Sequence, residues 1–334
     1  MSAPSPSAAM GRVAVMAGQL TSYKTGEDGE PEQLHQLLTR APTAAAVAPH
    51  SRGFMRAFPQ ATTMAEFPTA AHDALALDGL LTAEERAVRD KARAFVEREV
   101  APVITEYWER AEFPFELVPK IAALGLGGAT MQGYGCPGLS IMANAMAAVE
   151  FARVDASLAT FSLVHNFLAL ITIGLLGSEE QKRTYLPAMA KYEQVGCWAL
   201  TEPSNGSDAS SLTCSATKVP GGWQLDGQKR WIGNGTWADV SVVWARNNES
   251  GEVNCFIVKK GTPGLKATKI DNKIALRCVQ NADMVFERCF VPDSARLPGV
   301  TSFKDTNKVL ALSRIMVAWL PVGMAMGAYD MAAR

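Results

Sequence analysis

The apolar residues of the chain follow two different spacings, and the change between them divides the sequence. From residue 76 to residue 193 they recur every three or four positions, which is the spacing of α-helices with one buried face. Two capping boxes mark helix starts, because Thr82 with Glu85, and Ser178 with Gln181, have the spacing in which each side chain bonds the other's backbone. These patterns predict an N-terminal helical domain.

This domain contains one short predicted helix and one long uncharged segment. A short helix is predicted at 115–124, ended by Gly125. Residues 156–178 carry no charge and are long enough to cross a bilayer. Polar residues interrupt this second segment: Ser157, Thr160, Ser162, His165, Asn166 and Thr172. Because no basic flank marks a cytoplasmic end, we expect a buried central helix and no membrane span.

Beyond residue 194 the period changes to two, which is the spacing of half-buried strands. Strands are predicted at 212–219, 223–225, 228–232, 240–246, 254–259 and 284–291. Short strands separated by glycine-rich turns predict an antiparallel β domain over 194–300. Helical spacing returns in 301–334, where a helix begins near residue 307 and reaches Arg334 without a capping signal. We expect that a C-terminal helical domain has only begun there and that the chain is cut short.

The first 75 residues are rich in Ala, Pro, Ser and Thr and have little apolar periodicity, so we expect a largely disordered extension. Within it, Arg12 and Gln19–Leu20 resemble the N-terminal nonapeptide that directs proteins to peroxisomes. No acidic residue precedes Glu27, which also fits a mitochondrial transit peptide. The favoured location is the peroxisome, with the mitochondrion as the alternative.

Composition excludes several classes of function. The 334 residues include 32 basic and 33 acidic ones, so the chain has no net field to attract nucleic acid. The six cysteines are spread singly, which favours a reducing compartment. With four histidines, three of them before residue 75, a histidine-rich metal site or a Ser-His-Asp triad lacks parts. No metal is expected.

The candidate chemistry lies where an apolar strand ends, in the stretch 198–208. Trp198 and Leu200 close the strand, and Pro203 removes a backbone donor and stops it. The turn 205–208 then offers N–H groups and a hydroxyl that can face an anion. A second aromatic, Trp231, ends a later strand. Such groups suit a flat heterocycle that carries phosphates, although ordinary turns and core tryptophans give the same residues.

A resemblance strengthens the cofactor interpretation. Residues 199–211, Ala-Leu-Thr-Glu-x-x-Asn-Gly-Ser-Asp-x-x-Ser, match the signature of acyl-CoA dehydrogenases and oxidases, and 231–234 lie where that family's second flavin motif is expected. The resemblance implies an α+β fold with an N-terminal α-helical domain, a middle antiparallel β domain and a C-terminal helical bundle. It also implies FAD as cofactor, acyl-CoA as substrate and a place in fatty acid β-oxidation.

The family's cofactor contacts carry over onto matching positions here. The resemblance implies that the Leu200 backbone and the Thr201 hydroxyl bond the pyrimidine edge of the flavin. Ser207, in the turn with Gly206, reaches the pyrophosphate and borders the acyl thioester. Trp231 packs against the isoalloxazine, and Trp198 lies near the acyl pocket. The paired carboxylates Glu202 and Asp208 are expected to brace the turn and to take no part in the chemistry.

The resemblance also assigns substrate-binding positions, but it finds no catalytic base in this chain. The helix that carries Ala159 and Thr160 matches the wall of the acyl pocket, and alanine stands where glutaryl-CoA dehydrogenases have an arginine, which favours a plain saturated acyl chain. Arg314 matches a position beside bound CoA, or is a solvated helix charge. Some relatives carry the glutamate base one residue earlier, where this chain has Ser313. The base is therefore expected beyond Arg334, with no catalytic residue in this chain.

Gly233 stands where dehydrogenases usually carry threonine. Its lack of a side chain predicts an oxidase that passes electrons to O2 and gives hydrogen peroxide, unless the glycine only serves a positive φ. Residues 56–334 resemble plant-type peroxisomal short-chain acyl-CoA oxidases. The alternatives are an acyl-CoA dehydrogenase that uses an electron-transfer flavoprotein, and an inactive truncated isoform. The resemblance implies a homo-oligomer, a dimer or a tetramer, when the chain is full length.

Overall fold

The structure is a computed structural model that describes residues 77–333. The predicted extension and its targeting patterns lie outside these residues. Both predicted capping boxes are confirmed. The Thr82 and Ser178 hydroxyls accept the backbone amides of Glu85 and Gln181, and the backbone amides of Thr82 and Ser178 donate to the side chains of Glu85 and Gln181. The predicted helix at 115–124 is shorter than expected, because a 3₁₀ turn occupies Phe115–Leu117. The first helices are α1 (Ala83–Phe95), α2 (Ile104–Arg110) and α3 (Val118–Ala122).

The rest of the helical domain is built around one long buried element. It comprises α5 (Ala156–Leu163), a π-helical segment (Val164–Leu170) and α6 (Ile171–Leu176), which follow one another without a break. Although this element is long and apolar enough to cross a membrane, 78% of its most apolar window is buried inside the protein. The expectation of a buried central helix is confirmed. Around it lie the short strands β1 (Gln132–Gly133) and β2 (Cys136–Pro137), with α4 (Ile141–Val154) and α7 (Glu179–Ala190).

The middle domain is a seven-stranded sheet. Its strands are β3 (Gly196–Ala199), β4 (Ser215–Val219), β5 (Gly222–Ile232), β6 (Val240–Asn247), β7 (Val253–Lys259), β8 (Leu265–Lys269) and β9 (Ala282–Pro292). They pair in the order β3-β6-β4-β5-β9-β8, with β7 also paired to β6. The expected antiparallel arrangement holds for most pairs, but β3 and β4 both run parallel to β6. A period of two is common to both kinds of pairing, so the sequence could not separate them.

The last described element is α8 (Thr306–Ala333), which lies against α4 at two glycines. A Cβ placed on Gly323 would lie 2.3 Å from the backbone oxygen of Val149, and one on Gly327 would lie 2.1 Å from that of Arg153. The backbones of α4 and α8 therefore approach so closely at these two positions that only glycine, which has no Cβ, fits. Only 33% of the most apolar window of this helix is buried, and large apolar side chains remain exposed on it: Val317, Val322, Met324, Met326, Tyr329 and Met331.

Candidate functional site

The site begins where β3 leaves the helical domain, and a buried histidine fixes that point. His165 lies in the π-helical segment, where its Nδ1 accepts the Gly196 amide at 3.0 Å and its Nε2 donates to the Met189 carbonyl at 2.8 Å. Burial lowers the pKa of His165 from 6.5 to about 4, so the ring is neutral near pH 7. One tautomer satisfies both bonds, and β3 is thereby joined to the central helix.

Trp198 stands at the far end of this short strand. Its indole Nε1 donates to the Thr172 hydroxyl at 3.0 Å, and its ring lies edge-on to the buried Trp244 ring, with 5.8 Å between the centroids. The side chain is half-buried, so one part of the indole reaches the surface. The tryptophan therefore has a fixed orientation between the central helix and the sheet.

The three residues after β3 lie alongside the end of β5. The Leu200 carbonyl accepts the Lys229 ammonium at 3.0 Å, and the Thr201 carbonyl accepts the Arg230 amide at 2.8 Å. The structure therefore brings Thr201 beside the residue that precedes Trp231. Thr201 is half-buried, and within residues 77–333 its hydroxyl has no hydrogen-bond partner.

Glu202 is buried in a dense set of donors. Its Oε1 accepts the Lys229 ammonium and the Cys214 amide, both at 2.8 Å, and its Oε2 accepts the amide and the hydroxyl of Thr213 at 2.6 and 2.8 Å. Burial alone would raise the pKa of Glu202, but Lys229 and the two amides outweigh it and lower the pKa to about 2. Every bond of this carboxylate is structural, which confirms that Glu202 braces the turn.

The turn itself is open to solvent. Gly206 and Ser207 are exposed, and a Cβ placed on Gly206 would meet no atom within 4 Å. Asp208 accepts the hydroxyls of Ser210 and Ser211, which lowers the pKa of its carboxyl and confirms its bracing role. Among the described residues, Ser207 Oγ has no partner. Free backbone and hydroxyl donors on an open turn suit an anion such as a phosphate.

Trp231 is an unusual residue in this sheet. It is 52% exposed, and its backbone adopts a left-handed φ of 63°, which a bulky residue rarely takes. The side-chain amide of Asn281 donates to the Trp231 carbonyl at 3.1 Å, and the Arg230 guanidinium lies 5.3 Å from the centroid of the indole ring. The strained backbone turns a large aromatic face outwards next to Thr201. Such strain at an exposed side chain is typical of a binding site.

The structure excludes one of the two roles predicted for Gly233, a positive φ, and adds a packing contact. Its φ is not positive, so conformational freedom does not explain the glycine. A Cβ at this position would lie 3.1 Å from Val164 Cγ2, in the π-helical segment. The neighbouring Asn234 is buried at a φ of 63° and donates to the carbonyls of Phe161 and Gly196, each at 3.3 Å. Gly233 therefore lets the sheet pack closely against the central helix.

The predicted substrate residues are dispersed. Ala159 is buried and lines a cavity of about 30 Å³ between α4, α5 and Met316 of α8, which is room for about one water molecule. Thr160 bonds back to the Ala156 carbonyl at 2.8 Å. Arg314 is exposed on α8, and within residues 77–333 no hydrogen bond or ion pair joins it to the turn that holds Ser207. No group of three or more metal-binding side chains occurs among these residues.

Sequence reasoning missed Lys229, which the structure places at the centre of the site. A signal was present, because the period of two puts Lys229 on the same inward face of β5 as Trp223 and Leu225, and all three are buried. A lysine at a core position of a strand requires a buried partner. The pattern could have raised the question, but it could not identify Glu202 as the partner.

Comparisons with known proteins agree with this architecture. The family model described as acyl-CoA dehydrogenase, N-terminal domain, matches residues 82–193, and that of the acyl-CoA dehydrogenase middle domain matches residues 197–289. The mitochondrial short-chain specific acyl-CoA dehydrogenase of Sus scrofa is 34% identical over 73% of this chain and 60% of its own length. An acyl-CoA dehydrogenase of Bacillus subtilis is 33% identical over 75% of this chain and 67% of its own.

A solved structure extends the comparison to the fold. A glutaryl-CoA dehydrogenase from Mycobacterium smegmatis, solved in complex with FADH2, is 32% identical with a TM-score of 0.74 and covers 76% of this chain and 65% of its own. This chain spans about 60% of the length of the first curated relatives it matches. The expected α+β fold is confirmed. The chain belongs to the acyl-CoA dehydrogenase family, whose members bind FAD.

Proposed function

We propose that this chain carries the flavin-binding part of an enzyme that converts acyl-CoA to trans-2-enoyl-CoA with FAD. The observation that carries the proposal is the pair of Trp231 and Thr201. The left-handed backbone of Trp231 turns a large aromatic face outwards. The Thr201 backbone is bonded to the preceding residue, Arg230, and the Thr201 hydroxyl has no partner within residues 77–333. This arrangement offers a stacking surface and a polar edge contact to one flat ring system.

The described residues fit FAD in three respects. Thr201 and the Leu200 backbone would hold the pyrimidine edge, Trp231 would cover the ring, and the open turn with Gly206 and Ser207 would bind the pyrophosphate. Trp198, half-exposed at the end of β3, would border the acyl group. The bound flavin would supply the hydride acceptor.

The remaining catalytic part is a carboxylate that takes the α-proton of the thioester. Ser313 cannot serve, because its buried hydroxyl donates to the Leu310 carbonyl at 3.3 Å. We propose that a glutamate outside these 334 residues is the base. Arg314, exposed on α8, is proposed to lie beside CoA.

The wall that carries Ala159 supports a saturated acyl chain, since none of the described residues that line the cavity beside it is a cation that could pair with a second carboxylate. Thr160 belongs to the same wall in this proposal. The proposed location is the mitochondrion, which the pig relative's name supports. The peroxisomal alternative depends on the nonapeptide pattern within residues 1–75 and on the resemblance to plant-type peroxisomal oxidases. The assembly is proposed to be a homodimer or homotetramer.

The electron acceptor is proposed to be an electron-transfer flavoprotein. The curated relatives compared above are named dehydrogenases, and Val164 lies against the position that a side chain at 233 would enter, so the glycine leaves less open space than expected. The absence of a side chain at Gly233 still favours a second candidate, an acyl-CoA oxidase that reduces O2 to hydrogen peroxide.

Two measurements on the FAD-loaded chain test this proposal. Addition of a trans-2-enoyl-CoA, which needs no base to bind, is expected to shift the visible absorption of the flavin. Absence of any shift at millimolar ligand would contradict an acyl-CoA site. After photoreduction without air, mixing with oxygenated buffer separates the acceptors. Reoxidation over minutes supports the dehydrogenase, and reoxidation within seconds with stoichiometric hydrogen peroxide supports the oxidase.

A further inference from the structure

The most deeply buried charge pair near the proposed flavin site is Lys229 with Glu202. The lysine side chain is 0% exposed and the glutamate side chain 2% exposed, with Nζ and Oε1 2.8 Å apart. Buried ion pairs seldom add stability over apolar residues of similar volume, because desolvation offsets their attraction. Stability of the fold alone is therefore a weak reason for two charges at this place.

The directions of the bonds suggest another role. Lys229 donates to the Leu200 carbonyl on one side of Thr201 and to the Glu202 carboxylate on the other. Between them, the Arg230 amide donates to the Thr201 carbonyl. Thr201 is thus held from both sides through the backbone, while its hydroxyl has no partner among the residues that the structure describes and can bond a ligand.

The second partner fixes the segment to another strand. Glu202 accepts the amides of Thr213 and Cys214, which lead into β4, while Lys229 and Arg230 belong to β5. The chain between β3 and the open turn is therefore bonded to two neighbouring strands at once. Each bond is directional, so only one position of residues 200–202 satisfies all of them.

We propose that the Glu202–Lys229 pair is a positioning device that sets the Leu200 backbone and the Thr201 hydroxyl for the flavin. This inference rests on the proposed function. Neither charged group touches the cofactor in this account; they act through residues 200 and 201. Without the pair, the Leu200 carbonyl loses its donor and residues 200–202 can shift. Bonds to the pyrimidine edge, where charge gathers on reduction, then weaken.

The test compares the parent chain with a charge-free double variant and a matched control. The double variant, Lys229→Met with Glu202→Gln, keeps the side-chain volumes and leaves no lone buried charge. The control is Lys218→Met, which breaks an ion pair with Asp293 that is far more exposed on the same sheet. The readouts are the Kd for FAD from quenching of flavin fluorescence, the midpoint potential of the bound flavin, and thermal unfolding without FAD.

We expect the double variant to fold, to bind FAD at least tenfold more weakly than the parent, and to hold it at a more negative potential. The control is expected to match the parent within twofold. A folded double variant whose Kd and potential match those of the parent would overturn the inference, because the pair would then serve the fold alone. If the parent itself binds no FAD, the proposed function fails, and the inference fails with it.

A milder change covers the case in which the double variant does not fold. Thr213 is exposed, and Thr213→Val removes only the hydroxyl bond to Glu202. We expect a two- to fivefold weaker affinity for FAD with unchanged thermal unfolding. An unchanged affinity in this variant would overturn the inference where the double variant yields no folded protein.

Discussion

Single residues at the site show which roles a sequence can reveal. Thr201, Ser207 and Trp231 were predicted from their place in a motif. The structure adds that the hydroxyls of Thr201 and Ser207 have no partner among the described residues and that Trp231 is exposed. Lys229 was missed because a buried ion pair joins residues that are 27 positions apart in the chain. The contact of Gly233 with Val164 was missed for a similar reason, since Val164 lies on another element.

At this scale, His165 gives a prediction of pH dependence. Its pKa is about 4 in the folded protein and 6.5 ordinarily. Between these values the unfolded chain binds a proton that the folded protein does not. The stability that depends on neutral His165 is therefore complete above pH 6.5 and is lost as the pH falls towards 4. The free energy of unfolding is expected to fall by about 3 kcal/mol over this range, since each pH unit between the two pKa values contributes about 1.4 kcal/mol.

The measurement is urea unfolding of the parent and of His165→Gln between pH 8 and pH 4. The variant is expected to be less stable at pH 8, because Gly196 and Met189 lose their partner, and to show a shallower fall in stability down to pH 4. Glu202, with a pKa of about 2 in the folded protein and 4.5 ordinarily, loses part of its own stabilisation near pH 4, but both proteins contain it and its effect cancels in the comparison. Parallel curves for the two proteins would exclude His165 as the cause.

Helices and strands were predicted correctly where the spacing of apolar residues was regular, and they were missed or divided where it was not. The capped helices and the buried central helix were expected at nearly their observed positions. Strand β8 was missed because its side chains are mostly exposed and polar, so no alternation marks it. β5 was predicted as two strands, since the register irregularity between Leu225 and Gly227 interrupts the pattern. Such edge strands and bulges depend on neighbours that a single segment does not contain.

The close contact between α4 and α8 gives a prediction at this scale. Gly323→Ala should favour an isolated helix by about 1 kcal/mol. Here the new methyl group would meet the Val149 backbone oxygen at 2.3 Å, and backbone atoms cannot move aside as a flexible side chain can. We expect a net loss of about 1–3 kcal/mol in the free energy of unfolding.

Hydrogen exchange of the α8 amides and urea unfolding would measure this effect. Met324→Ala, one position away and facing solvent, is the control and should change stability by less than about 0.5 kcal/mol. A Gly323→Ala variant that is as stable as the parent, or more stable, would show that the helices are free to separate at this point.

At the scale of the described residues, the proposed flavin site lies at the junction of the helical and the β domain. His165 and Val164 come from the central helix, Thr201 from the segment after β3, and Trp231 from the end of β5. Asn234 joins the domains again by donating to Phe161 and Gly196. The order of helices, strands and helix could be predicted from periodicity. The mixed strand pairing and the domain junction could not, because both depend on contacts that are distant in sequence.

The central claim is that Thr201 and Trp231 form one face of a flavin site, and titration of the chain with FAD tests it most directly. Flavin fluorescence should show saturable binding at one FAD per chain. Trp231→Ala and Thr201→Val should each raise the Kd at least tenfold, whereas Trp108→Ala, another partly exposed tryptophan, should leave it within twofold. No saturable binding by the parent, or a Trp231→Ala variant that binds FAD as tightly as the parent, would contradict the account.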